Sequence, residues 1–152
     1  MKRHKSLIPL SQDHHHGLML AQLIKRGAPE YKGLPTDTDG KIKYTRESWE
    51  NELKIHFLNE ENILFPSVKG KNIEIDELID NLLTEHREIE KMIAKLEVNN
   101  ESEEKLNELG EKLENHIRKE ERILFQQLQI SCIDELGHLA EKILPAKNVC
   151  KT

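Results

Sequence analysis

Residues 53–65 read LKIHFLNEENILF, and residues 113–125 read LENHIRKEERILF. Seven of the thirteen aligned positions are identical, and they include a histidine and two consecutive glutamates as well as apolar residues. The chain around both copies is rich in Glu, Lys and Leu, a composition that favours helices over strands. The repeat therefore predicts two helical hairpins built on one plan.

Helix-breaking residues divide the rest of the chain. Segment 27–46 holds three of the seven glycines and two of the five prolines, which predicts a long connection. Four long helices and one shorter helix remain, at roughly 11–26, 46–65, 74–97, 102–128 and 131–144. We therefore expect a single all-α domain over residues 1–152, an antiparallel up-down four-helix bundle with a short extra C-terminal helix.

Three polar residues stand where helix N-caps belong, namely Ser11, Thr45 and Ser102. The short last helix has one apolar face, formed by Ile133, Leu136, Ala140 and Ile143. We expect this face to pack on the bundle as a lid, with a dimer contact as the alternative. The chain is accordingly predicted to be a monomer or a weak homodimer.

Composition excludes several classes of protein. The formal net charge of −5 argues against a nucleic-acid binder, which should carry a basic stripe. No apolar run approaches about 18 residues, so no membrane span is expected, and the N-terminal MKRHKSLIPL lacks the long apolar core of a secretory signal. Cys132 and Cys150 form neither a CxxC motif nor a disulfide framework, which indicates a reducing, cytoplasmic setting.

Each repeat points a histidine and a glutamate towards the core. On a helical wheel of about 100° per residue, the glutamate four positions after the histidine falls about 40° from it. His56 with Glu60 therefore lies within the apolar stripe of its helix, and His116 with Glu120 repeats the pattern, while the next glutamate falls towards the rim. The two stripes contain Trp49, Leu53, Ile63 and Leu64, and Leu109, Leu113, Ile123 and Leu124.

These core glutamates require a partner. An unpaired buried carboxylate costs several kcal/mol, and no Lys or Arg lies at the centre of either stripe. A bound cation is the economical explanation.

The third helix adds His86 at the centre of its apolar face, with Glu90 at the edge in a solvated or supporting position. That face is formed by Leu78, Leu82, Ile89, Ile93 and Leu96. Three core histidines with two core glutamates favour a metal site over structural histidines, and imidazole with carboxylate suits iron, manganese or zinc.

The first helix offers three histidines in one turn, in the sequence Asp13-His14-His15-His16. Apolar residues wrap most of the way round this helix, so the helical wheel does not show which of the three histidines faces the core. His14 and His16 lie near the edges of the apolar sector, and His15 lies furthest from it. The repeat aligns His14 with His86, because each follows an acid, and this favours His14.

These motifs together resemble the hemerythrin-like, or HHE cation-binding, family. The matching stretches are DHHHGLMLAQLI at 13–24, HFLNEENILFP at 56–66, EHREIEKMI at 85–93 and HIRKEERILF at 116–125. The family is a four-helix bundle around a non-haem di-iron centre whose carboxylates bridge the irons. The resemblance implies six metal ligands, namely His14, His56, Glu60, His86, His116 and Glu120.

The same resemblance implies two iron ions, or manganese or zinc in their place, with a bridging oxo or hydroxo group. Oxygen-carrying hemerythrins have a fifth histidine paired on the third helix, whereas here the positions four residues from His86 hold Leu82 and Glu90. His15 or Glu90 would then complete the set of metal ligands or support it. The four-His, two-Glu set is closer to relatives linked to iron, oxygen or nitric oxide sensing and to iron–sulfur cluster repair.

Three function classes follow from this reading. The first is a protein that binds or senses O2 or NO, or handles iron, with a separate protein partner as the output of a sensor. The second is a di-iron enzyme of the oxidase, peroxidase, NO-detoxifying or iron–sulfur repair type, which we rank lower because no separate substrate pocket is visible in the sequence. The third is a metal-free structural or interaction bundle in which the histidines and glutamates merely pair.

Overall fold

The computed structural model describes residues 1–139 and 141–146 of the chain. These residues form five helices and no strand, which confirms the predicted fold class. The helices are α1 (Ile8–Ile24), α2 (38–68), α3 (Ile73–Ala94), α4 (102–131) and α5 (Ile133–His138). None of the described helices combines the length and the apolar character needed to cross a membrane.

Two of the helices contain π-helical turns. Helix α2 is π-helical over Trp49–Leu53 and Glu60–Leu64, and α4 is π-helical over Glu120–Leu124. A π turn adds a residue to the helical repeat and shifts the phase of every residue beyond it. The wheel therefore misplaces Ile123, which is predicted in the apolar stripe but is 46% exposed, whereas Leu64 and Leu124 are buried as predicted.

The bundle core consists of two apolar clusters with a polar layer between them. The first cluster contains Leu7, Leu10, Leu64, Phe65, Val68, Ile75, Ile79, Leu82, Leu124, Phe125, Leu128, Cys132, Leu136, Leu139 and Ile143. The second contains Leu20, Ala21, Leu23, Ile24, Ile42, Leu53, Phe57, Ile89, Ile93, Leu96, Leu106, Leu109, Leu113 and Ile117. Along the chain, α1 and α3 pass from the first cluster to the second, and α2 and α4 pass back, as an up-down bundle requires.

The connection after α1 is shorter than the predicted 27–46, because α2 begins at Thr38. Gly40, which resembles a helix breaker in the sequence, lies in the first turn of α2. A Cβ atom there would come within 2.9 Å of the Pro35 side chain, so glycine permits close packing of the incoming chain. Thr45 is therefore not an N-cap, and its hydroxyl donates a hydrogen bond to a backbone carbonyl one turn earlier.

The other two predicted N-caps also differ, although the fourth long helix begins at residue 102 as predicted. Helix α1 begins at Ile8, since Pro9 fits the first turn of a helix, and Ser11 lies inside it. Ser102 is the first residue of its helix rather than the cap, and its hydroxyl donates to the carbonyl of Glu97.

The C-terminal helix ends at His138 rather than near 144, and Glu141 has a positive φ of 71° that helical geometry excludes. Leu136 and Ile143 pack into the first apolar cluster, so α5 covers one end of the bundle as expected. Ile133 does not share that face and is 49% exposed. Ala140 and Cys150 lie outside the described residues.

Close approach of α1 and α4 depends on Gly110. A Cβ atom at this position would lie 2.9 Å from the carbonyl oxygen of Ala21 and 3.1 Å from Cγ1 of Ile24. Because the first of these atoms belongs to the backbone of α1, it can yield only if the two helices separate.

Replacement of Gly110 by alanine is expected to lower the free energy of unfolding by about 1–3 kcal/mol, since it overpacks the α1–α4 contact. Gly137→Ala is the matched control, because this helical position has nothing within 4 Å of its Cβ. Urea denaturation of both variants checks the difference. Equal stability of the two would contradict the close contact.

Candidate metal centre

Six side chains from all four long helices meet in the polar layer. They are His14 from α1, His56 and Glu60 from α2, His86 from α3, and His116 and Glu120 from α4. None is more than 3% exposed. These are the six residues that the repeat and the family resemblance predicted together.

The other predicted candidates lie elsewhere. His15 is exposed on α1, and Glu90 is exposed on α3, where its carboxylate lies 3.2 Å from a guanidinium nitrogen of Arg87. His16 is partly exposed, with its Nδ1 3.9 Å from Oε1 of Glu52. Of the three adjacent histidines, His14 is therefore the one that lies in the polar layer.

The carboxylate of Glu60 lies between two pairs of imidazoles. Its Oε2 is 3.4 Å from Nε2 of His56 and 4.0 Å from Nε2 of His14. Its Oε1 is 3.1 Å from Nε2 of His86. The two oxygens therefore face two different groups of donors.

The carboxylate of Glu120 has the same arrangement. Its Oε2 is 3.1 Å from Nε2 of His14, and its Oε1 is 2.8 Å from Nε2 of His116. The site thus contains two four-residue groups that share both glutamates, one completed by His14 and His56 and the other by His86 and His116. The donor atoms of each group all lie within 4.8 Å of one another. Two adjacent cations bridged by two carboxylates match this geometry.

Several polar atoms in the layer have no hydrogen-bond partner among the described residues. They are both ring nitrogens of His14, Nε2 of His56, Oε2 of Glu60, Nε2 of His116, and both carboxylate oxygens of Glu120. Buried polar atoms are nearly always satisfied, and leaving one unpaired costs about 1–3 kcal/mol. Since nearly all of these atoms point towards the shared centre, the residues fit a dinuclear metal site.

A second set of acids contacts the outer nitrogens of the four histidines. The contacts are Asp13 Oδ2 to His56 Nδ1 at 2.9 Å, Glu61 Oε2 to His86 Nδ1 at 2.7 Å, Glu85 Oε1 to His116 Nδ1 at 2.8 Å and Glu121 Oε2 to His14 Nδ1 at 3.6 Å. The first three are hydrogen bonds. We call these four acids the outer carboxylates.

The outer carboxylates form a closed ring around the bundle. Each acid contacts the clustered histidine of the next helix, from α1 to α2, from α2 to α3 and from α3 to α4. The acid on α4 contacts the histidine on α1 and closes the ring. When Nδ1–H donates to a carboxylate, the lone pair of Nε2 is directed at the centre. Three of the outer carboxylates therefore set the tautomer and the orientation of their imidazoles. The fourth, Glu121, lies beyond hydrogen-bond distance of His14 Nδ1.

Sequence reasoning did not assign this role to the outer carboxylates. Asp13 and Glu85 stand next to predicted histidines, but each contacts the histidine of the following helix instead of its neighbour. The available signal was a repeated pairing, in which an acid directly precedes His14 and His86 and a second glutamate directly follows Glu60 and Glu120.

Aromatic rings cover the imidazoles on the apolar side. Phe57 stacks on His86 with ring centres 3.8 Å apart. Phe65 and Phe125, which end the two repeats, stack on His86 and His14 with ring centres 6.1 Å and 5.5 Å apart. These rings keep water from the donors on that side.

Electrostatics within the layer follow from burial against carboxylates. Burial by itself lowers the pKa of the four imidazoles, but the neighbouring carboxylates outweigh it and raise the pKa of all four, to about 9 at His86. Burial would raise the pKa of the Glu85 carboxyl, yet the contacts with His116 and Lys119 lower it to about 2. Without a metal, the carboxylates thus favour the protonated form of the four imidazoles.

Comparison with known families gives one match. The Hemerythrin HHE cation binding domain matches residues 9–128, which include all six clustered side chains and the four outer carboxylates. The family resemblance found in the sequence is confirmed over this range. No curated protein and no solved structure matches the chain significantly.

The histidine pKa values predict how pH affects the metal-free protein. Since the pKa of His86 is about 9 in the folded state and about 6.5 when unfolded, its pairing stabilises the fold fully below pH 6.5 and is lost as the pH rises through 9. The stability difference between the parent and His86→Gln, both treated with chelator, should therefore shrink over that interval. Thermal denaturation from pH 6 to pH 10 measures it, and His138→Gln, at an exposed position, is the control. A difference that grows with pH would contradict the pairing.

Proposed function

The chain belongs to the hemerythrin HHE cation-binding family, and on that premise we propose that it holds two iron ions in the buried cluster and binds O2 or NO there reversibly. The observation that carries this proposal is the pair of shared glutamates, each of which turns one oxygen to each group. Two negative charges between two cations offset the repulsion that would otherwise keep the cations apart.

In this proposal each half of the cluster holds one ion. His14 and His56 would bind the first, His86 and His116 the second, and Glu60 with Glu120 would bridge them. This assignment uses the unpartnered buried atoms that face the centre. A donor set of imidazoles and carboxylates fits iron, and manganese or zinc are the alternatives that the same donors suit.

Open coordination positions support a diatomic ligand. Each group offers four donor residues, fewer than the roughly six that iron takes in octahedral sites. Iron held there would supply the electrons and the open positions that O2 or NO needs. The chain contributes imidazoles oriented by the outer carboxylates and a wall of aromatic rings that limits the approach of water.

Metal content tests the site. Purified protein loaded under anaerobic conditions is expected to contain two irons per chain, and chelation should lower its Tm because buried donors lose their partner. His56→Ala combined with His116→Ala removes one donor from each group and should abolish both effects. His15→Ala and Glu90→Gln, at exposed positions on the same helices as two cluster residues, are the controls.

The visible spectrum tests the ligand. Addition of O2 or NO to the ferrous protein should change the spectrum, and removal of the gas should restore it. The same experiment with turnover assays separates reversible binding from an enzyme that consumes its ligand. A colourless protein with sub-stoichiometric metal, unaffected by the double substitution, would show that the cluster is a structural pairing of histidine and glutamate.

Orientation of a histidine by its outer carboxylate is testable at Glu85. Glu85→Gln leaves the shape of the side chain but replaces the charged acceptor of His116 Nδ1–H, and metal affinity should fall about 10–100-fold. Glu88→Gln is the control, because Glu88 pairs at the surface of the same helix with Lys112 at 2.6 Å. Competition with a chromophoric chelator measures both. Equal affinities would mean that Glu85 serves only in its surface ion pair.

A further inference from the structure

A cleft between α1 and α2 leads from the surface to the polar layer. Its volume is about 230 Å³, and its lining reaches both Asp13 and His56. The lining residues are Asp13, His16, Gly17, Met19, Leu20, Tyr44, Ser48, Glu52, Leu53 and His56. The side chains of His16 and Glu52 are 37% and 38% exposed, so they are reached from solvent. The other large clefts among the described residues are lined by none of the six clustered side chains.

One outer carboxylate differs from the other three in its partner, and this one, Asp13, lines the cleft. Three of the four acids are covered by basic side chains, namely Glu61 by Arg87, Glu85 by Lys119 and Glu121 by Arg3. Asp13 instead accepts its second hydrogen bond, at 2.8 Å, from the neutral backbone N–H of Ala146. Among residues 1–139 and 141–146, no lysine or arginine lines the cleft.

A divalent cation moving into the bundle interior faces a large desolvation cost. It needs oxygen and nitrogen donors along its path to replace water, and side chains with both kinds of donor line the cleft. His16 and Glu52 are the solvent-reached donors of the lining, Tyr44 and Ser48 also line the cleft, and His56 is its buried donor. A cation is repelled near the other three outer carboxylates, because each of them has a basic side chain against it.

We propose that this cleft is the route by which a divalent metal ion reaches the buried cluster, and that His16 and Glu52 are the residues that first take it from water. The proposal rests on metal binding by the cluster. It gives a role to the one histidine of the first-helix triplet that is partly exposed and lies close to the cluster without belonging to it. Neither residue is among the six proposed ligands, so their role is in the rate of loading.

The rate of Co²⁺ uptake by the metal-free protein tests this route. Stopped-flow absorbance, together with quenching of the single tryptophan, Trp49, follows the ion into the cluster. His16→Ala combined with Glu52→Gln should slow uptake about tenfold, because the electrostatic attraction at the mouth is lost. The number of bound ions and the equilibrium affinity should remain those of the parent.

Two controls separate the route from a general charge effect. His15→Ala and Glu50→Gln remove the same residue types from neighbouring exposed positions outside the cleft, and uptake should stay within about twofold of the parent. Raising the ionic strength should slow uptake by the parent more than uptake by the double variant.

A charge inserted into the cleft gives an independent test. Ser48→Lys places a cation in the lining, whereas Asn51→Lys adds the same charge on a different face of α2. The first should slow uptake by about tenfold or more and the second should not. Circular dichroism verifies that both variants are folded, and the mouth variants remain informative if Ser48→Lys is not.

The outcomes distinguish this inference from the function on which it rests. A parent protein that binds no Co²⁺ at equilibrium would overturn metal binding itself. Two bound ions with unchanged uptake in both the mouth variants and Ser48→Lys would overturn only the route. Equal slowing by the controls would overturn it as well, since net charge would then explain the rate.

Discussion

Two carboxylates buried at the middle of a helical bundle constrain the rest of this structure. Glu60 and Glu120 have no exposed surface, and neither could remain ionised there without compensation. Four imidazoles supply that compensation from within the layer, and three of them are in turn oriented by hydrogen bonds to outer carboxylates. Each helix must therefore bring both a histidine and an outer carboxylate to one level of the bundle. On α1 and α3 the acid directly precedes the clustered histidine, and on α2 and α4 it directly follows the clustered glutamate.

The helices accommodate this layer by local changes of geometry. The turns that begin at Glu60 and Glu120 are both π-helical, and they rotate the following residues so that Phe65 and Phe125 return to the core and stack on imidazoles. Apolar clusters on both sides provide the stability that the polar layer does not. Asp13 differs from the other outer carboxylates, because its outer partner is a backbone N–H rather than a basic side chain. The cleft between α1 and α2 lies beside Asp13.

Local sequence pattern is sufficient to identify most of the clustered side chains. His56, Glu60, His116 and Glu120 stand out because charged or polar residues occupy positions where helical periodicity requires apolar ones. The same periodicity failed at Ile123, because a π turn intervenes. The rule that glycine breaks helices failed at Gly40, because glycine there permits close packing. Both errors concern effects that depend on neighbouring segments.

The sequence by itself determined the helical hairpins, the repeat and the positions along each helix that face the core, because these depend on residues three or four apart on one element. Tertiary structure alone decided which of His14, His15 and His16 enters the layer, which carboxylate oxygen faces which imidazole, and which acid supports which histidine. Those choices depend on the relative rotation and spacing of four helices. Contacts such as that of Gly110 with the α1 backbone set that spacing, and no single helix encodes it.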